Sequence, residues 1–159
     1  MIAALKRWAV LPRAERWFFN AMHAVITLSG VAYFCMKYLM TTDDPFALVN
    51  HPWEPTMLSI HVFVAPLGVF LFGMVFRSHT LRKLLQASPV NRRTGLTSAG
   101  SFLVMTLSGY LIQVATSPAV IATAIWTHVA TSVLFVIAYG VHLVIGYRVA
   151  YRGARQPAW

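Results

Sequence analysis

VIATAIWTHVATSVLFVIAYGVHLVIGY, residues 120–147, contains no Asp, Glu, Lys or Arg, yet it holds two histidines, His128 and His142. An apolar run of this length suits a bilayer, whose hydrocarbon core takes about 20 helical residues to cross. Three more stretches match it: WFFNAMHAVITLSGVAYFCMKYLM at 17–40, MLSIHVFVAPLGVFLFGMVF at 57–76 and GLTSAGSFLVMTLSGYLIQVAT at 95–116. In hydrocarbon the backbone must satisfy its own polar groups, so each stretch is expected as a helix. Pro66 is expected to kink the second. The expected fold is all-α, a transmembrane four-helix bundle in which residues 1–159 form one membrane domain. The first stretch exceeds a signal-peptide core and no clear A-x-A cleavage site follows it, so it reads as retained. No segment is low in complexity and nothing repeats at a fixed period.

The composition agrees. The 159 residues are 58% hydrophobic and 11% charged, against about a quarter charged in a soluble domain. Four spans and their loops nearly exhaust the chain, which excludes a multi-domain enzyme within it. The one cysteine, Cys35, cannot supply an intrachain disulfide, a CxxCH haem attachment or a four-thiolate iron–sulfur site. Any cofactor must be held by other ligands.

The formal net charge of +9 raises nucleic acid as a partner, but the placement of the charges argues otherwise. Lys6, Arg7, Arg13 and Arg16 precede the first span, Arg77, Arg82, Lys83, Arg92 and Arg93 join the second to the third, and Arg148, Arg152 and Arg155 follow the fourth. These are all of the 13 Lys and Arg except Lys37, which lies near the outer end of span one and can snorkel. The opposite loops carry Asp43, Asp44 and Glu54 and no basic residue. Basic residues collected on one side of the spans mark the cytoplasmic face, so both termini are expected there. A nucleic-acid binder would gather them on one continuous surface instead. The start of the chain, MIAALKRWAVLPRAERW, is expected to lie along the inner interface with Trp8 and Trp17 at headgroup depth.

Of six histidines, His51 and His79 fall outside the spans. His23, His61, His128 and His142 fall inside, where ionisable residues are costly and face the bundle interior. His23 lies about six residues from the inner end of span one, and His142 about five from the inner end of span four. His61 and His128 lie about four and eight residues from the outer ends of their spans. Two level pairs result, His23 with His142 and His61 with His128. The 14 residues from His128 to His142 fall about 40° short of four turns and rise about 21 Å, so both rings leave one face of the helix. Imidazoles paired from facing helices close both axial positions of an iron porphyrin, and two such groups fit across one bilayer. A single zinc ion cannot gather ligands so far apart. Taken singly, each histidine also fits a plain hydrogen bond to a neighbouring helix. Gly30, Gly68, Gly73, Gly100, Gly109, Gly140 and Gly146 are compatible with close approach to a flat macrocycle and equally with ordinary helix packing. Arg16, Arg77, Arg92, Arg93 and Arg148 are candidates for inner propionate groups, although topology alone accounts for them.

IWTHVATSVLFVIAYGVHLVIGYRV resembles the last core helix of the bacterial di-haem cytochrome b superfamily, which includes the cytochrome b subunits of membrane formate dehydrogenases and nickel–iron hydrogenases. SIHVFVAPLGVFLFGMVFR is similar to the second helix of that superfamily, and the likeness covers roughly residues 16–152. It implies two haem b groups, the inner held by His23 and His142 and the outer by His61 and His128, with no ligand from span three. In span one the family has its histidine a few residues after a basic residue, whereas Arg16 and His23 are seven apart. The formate dehydrogenase branch binds quinone near the start of the third helix. The matching segment, NRRTG, makes Asn91 and Gly95 candidate contacts for menaquinone or ubiquinone, beside a plain reading as a loop Asn and a glycine near a helix start.

Axial positions both filled by His leave electron transfer as the task of the iron. The resemblance therefore implies an electron-transfer subunit linking a periplasmic or membrane-bound redox partner, an iron–sulfur protein or a cytochrome c, to the quinone pool. Two other readings remain. One is a stand-alone superoxide:quinone oxidoreductase, which needs a cationic outer funnel where this chain is acidic. The other is a non-redox four-helix membrane scaffold with structural histidines.

Overall fold

The computed structural model describes residues 13–85 and 91–154. It is built from four long helices, α1 (Arg13–Tyr38), α2 (Glu54–Val75), α3 (Arg92–Val114) and α4 (Pro118–Ala154). All four are long and apolar enough to cross a membrane. Each begins two to four residues before its apolar stretch; the first three end one or two residues short of it, and α4 runs seven residues beyond. The segment with Lys6, Arg7 and Trp8, expected along the interface, lies outside the described residues, as does Arg155.

Pro66 does not interrupt α2. The chain continues beyond Val75 through a π-helical stretch, Phe76–Leu81, into a last α-helical turn, Arg82–Leu85. The wider π turn follows the apolar run and begins where Arg77 and His79 enter the sequence. Ser78 bonds the Met74 carbonyl there at 2.8 Å.

The helices pair into two compact units, α1 with α2 and α3 with α4, divided between Arg82 and Lys83. In the first, Lys37 near the end of α1 meets Glu54 at the start of α2 at 3.2 Å, which makes the two helices antiparallel. The Glu54 carboxylate is buried, and it also accepts the Asn50 backbone N–H at 3.2 Å. Asn50 Nδ2 donates to the Lys37 carbonyl at 2.9 Å, satisfying one of the acceptors that a helix C-terminus leaves open. Between these contacts, Asp44 turns the loop by accepting the Phe46 N–H at 2.9 Å.

In the second unit the three residues Ala115–Ser117 are too few to let α4 do anything but return along α3. Pro118 opens α4, where its missing N–H costs nothing. Asn91 sits before α3 in the left-handed region, φ 59° and ψ 19°, a conformation Asn tolerates better than most residues. The buried serines of α3 are spent on their own helix. Ser98 bonds the Thr94 carbonyl at 2.9 Å, and Ser101 bonds that of Thr97 at 2.8 Å.

The Glu54 contacts yield a prediction about the α1–α2 hairpin. Glu54→Ala is expected to lower the unfolding midpoint of the detergent-purified chain, by about 1.5–3 kcal/mol for buried hydrogen bonds to a charged group. Glu54→Gln, which keeps an acceptor for Asn50, is expected to recover part of that loss. An unchanged midpoint in Glu54→Ala would show that the clasp does not hold the hairpin.

Candidate functional site

Each histidine within the long apolar helices needs a partner for its ring N–H, and three of them find it across the hairpin. His61 on α2 donates from Nδ1 to the Ile26 carbonyl of α1 at 2.9 Å, with Ser29 Oγ 3.4 Å from the same nitrogen. Its ring lies on Gly30, where a Cβ would come within 2.9 Å of Cε1. On α4, His128 donates from Nδ1 to the Met105 carbonyl of α3 at 2.8 Å, and a Cβ on Gly109 would stand 3.1 Å from its Cε1. The His142 ring rests likewise on Gly95, at 3.2 Å from the position of a Cβ.

The three cradles share one construction. Gly30 and Gly109 each end a T-L-S-G sequence, Thr27–Gly30 and Thr106–Gly109, and the accepting carbonyl is that of the residue four before the glycine. For Gly95 the residue four before is Asn91, and here a hydroxyl is interposed. Thr94 Oγ1 directs its hydrogen to Asn91, whose carbonyl oxygen is 3.1 Å away and whose Oδ1 also makes a close contact. It therefore accepts the His142 Nδ1–H, at 3.2 Å. Asn91 Nδ2 in turn donates to the His142 carbonyl at 2.7 Å.

His23 is held differently. Its Nδ1–H donates to the Phe19 carbonyl of its own helix at 2.8 Å, and the Phe19 ring packs 4.0 Å from it, centroid to centroid. It is the most buried of the four, 6% exposed.

A carbonyl only accepts, so Nδ1 of His23, His61 and His128 carries a hydrogen, as does that of His142 when Thr94 gives its own to Asn91; in a neutral ring the lone pair then sits on Nε2. This is the state in which imidazole binds a metal, with the second nitrogen oriented by a backbone or side-chain acceptor. The residues present thus fit an iron porphyrin on two grounds, the donor chemistry of four imidazoles oriented through Nδ1 and glycines beneath three of the rings. Among the described residues no group of three His, Cys, Asp or Glu forms a metal cluster.

Depth refines the expectation. Within the second unit, His128 and His142 face Gly109 and Gly95, and both pairs are 14 residues apart, a rise of about 21 Å. Within the first, α2 starts at Glu54 against Lys37, which places His61 level with Gly30, only seven residues beyond His23 on α1. The corresponding rise is about 10 Å, so these two histidine levels lie nearer each other than the span edges suggest. Of the other glycines, Gly68 meets the tip of Ile26, and Gly73, Gly100, Gly140 and Gly146 have nothing within 4 Å of a Cβ. Asn91 and Gly95, the candidate quinone contacts, both lie beside His142. Arg77, Arg92, Arg93 and Arg148 are exposed and Arg16 is half-buried.

Sequence reasoning missed the hydroxyls of Ser29, Thr94 and Ser108. The signal was the T-L-S-G sequence occurring twice, outside any fixed period. No protein family, curated protein or solved structure matches this chain.

The cradles predict which glycines matter. Gly30→Ala is expected to destabilise the chain by about 1–3 kcal/mol through overpacking against the imidazole, with Gly95→Ala and Gly109→Ala smaller in the same direction. Gly100→Ala and Gly140→Ala are expected to be neutral or stabilising by up to about 1 kcal/mol from helix propensity. Denaturation in detergent micelles separates the two groups, and equal effects across all five would refute the cradle geometry.

Proposed function

We propose that the chain is a membrane-embedded di-haem b-type cytochrome subunit that carries electrons between a periplasmic redox partner and the quinone pool. The observation that carries this reading is that four histidines within apolar helices each have Nδ1 engaged by a carbonyl or hydroxyl oxygen, which orients the ring and leaves Nε2 as the nitrogen that would meet an iron. His61 and His128, in matching T-L-S-G cradles, are assigned to the outer haem, and His23 and His142 to the inner one. That pairing is the one suggested by depth counted from the span ends of the sequence; the separations along the helices, about 10 Å in the first hairpin and about 21 Å in the second, do not themselves impose it.

When bound, each haem supplies a one-electron iron couple. The chain does the rest. His23, His61, His128 and His142 would hold the two groups, the apolar helices exclude water, and the Nδ1 bonds hold the rings in place. The middle of every helix lacks Asp and Glu, with Glu15 and Glu54 confined to first turns, so no carboxylate relay carries protons through the membrane. The basic residues at the inner ends of the spans support a cytoplasmic side for both termini, in a bacterial inner membrane, and the quinone is assigned to that side as part of the same proposal. The nearly exclusive use of the chain for spans suits an anchor subunit of a larger complex.

A visible spectrum of the detergent-purified full chain, expressed with haem available, tests the reading. Reduced b-type bands with about two haems per chain are expected from four axial histidines. His61→Ala and His128→Ala should remove the same spectral component, and His23→Ala and His142→Ala the other. Absence of haem bands would refute the cytochrome. Loss of one component by His61→Ala and a different one by His128→Ala would refute the pairing.

A further inference from the structure

We infer that Ser29, Ser108 and Thr94 are positioning residues that set the electron-donor strength of the histidines beside them, the two serines weakening it and the threonine strengthening it. This rests on the haem-ligand reading above and deepens it.

The Ile26 carbonyl accepts two side-chain donors at once, His61 Nδ1–H at 2.9 Å and Ser29 Oγ–H at 3.0 Å. The Met105 carbonyl does the same with His128 Nδ1–H at 2.8 Å and Ser108 Oγ–H at 2.9 Å, the serine sharing its hydrogen with the Val104 carbonyl at 2.8 Å. A carbonyl oxygen has two lone pairs, and inside a helix the backbone already draws on them. Each further donor withdraws electron density, so the serine hydroxyl weakens the bond that the imidazole N–H can make. A weaker Nδ1–H bond leaves the ring with less anionic character and makes Nε2 a poorer donor.

Thr94 occupies the equivalent position before Gly95 but acts in the opposite sense. It is itself the acceptor of the His142 N–H, and its own hydrogen points to Asn91. A hydroxyl that donates is a better acceptor, because successive hydrogen bonds polarise one another. Thr94 and Asn91 therefore raise the basicity of His142, while Ser29 and Ser108 lower that of His61 and His128. A stronger imidazole donor favours the oxidised iron and lowers its reduction potential.

The test is potentiometry of both haem components in the purified full chain, read optically and independent of turnover. Ser29→Ala and Ser108→Ala free their carbonyls and are expected to shift the outer component to lower potential, the double variant further than either single one. Thr94→Val removes the acceptor and is expected to shift the inner component upward, leaving the outer unmoved, with Thr94→Ser restoring the original value. Should Thr94→Val fail to hold its inner haem, Thr94→Ala removes the same acceptor with less crowding and carries the same expectation. Haem bands present in every variant with potentials unchanged, or all three sites shifting in one direction, would overturn the inference while leaving the cytochrome intact. A wild-type chain without haem would remove both.

Discussion

An imidazole laid on a glycine of the neighbouring helix, its N–H bonded to a main-chain acceptor there, fixes the register of both hairpins. In the second hairpin three contacts follow at intervals of seven residues on each helix: Gly95 with His142, Phe102 with Phe135, and Gly109 with His128. The aromatic pair, both rings buried and 5.4 Å apart edge to face, fills the layer that the small residues leave empty above and below it. In the first hairpin, Lys37 with Glu54 and Gly30 with His61 keep the same interval. Seven residues are close to two turns, so an antiparallel pair that makes one such contact presents the next on the same seam. Slipping either hairpin by one residue would drive a Cβ into a ring and leave an imidazole N–H without its acceptor.

The fold class was open to reading because lipid imposes one rule on every backbone group in a span, and length and hydropathy express that rule directly. The four spans, and the histidines within them, followed from it. What could not be read was register. His61 looked shallow because the apolar run starts at Met57, whereas the helix begins at Glu54, a charged residue made tolerable by Lys37 and the Asn50 N–H. Pairing of one acid with one base fifteen loop residues apart is a tertiary event, and no local pattern announces it. The hydroxyls at Ser29, Thr94 and Ser108 were hidden for a related reason. Serine and threonine are common in membrane helices and mostly bond their own carbonyls, as Ser98 and Ser101 do. Only proximity to an imidazole distinguishes the three.

His23 departs from the other histidines because its acceptor is local. A bond to Phe19, four residues back on the same helix, orients the ring without any contribution from α2, and the Phe19 side chain completes the support from the same turn. The His61, His128 and His142 rings are held only while their hairpins are closed. Folding of a hairpin and orientation of its cross-helix imidazole are therefore one event, whereas His23 is oriented as soon as α1 is helical.

Polar side chains in these helices divide by where their hydrogen goes. The serines at 98 and 101 return it to their own helix and are neutral toward assembly. The histidines at 61, 128 and 142 send it to the neighbour and commit that neighbour to one rotation about its axis, since only the face bearing a glycine can receive the ring. Helices in lipid lack a hydrophobic force to choose which faces meet, because lipid tails are as apolar as the side chains they touch. A directional N–H bond beside a residue without a side chain supplies the missing selection, and it does so at the nitrogen opposite the one that would bind a metal. The bond that defines each hairpin is thus also the one that, under the proposed haem ligation, would orient Nε2, and a serine or threonine stands one residue before each glycine that receives a ring.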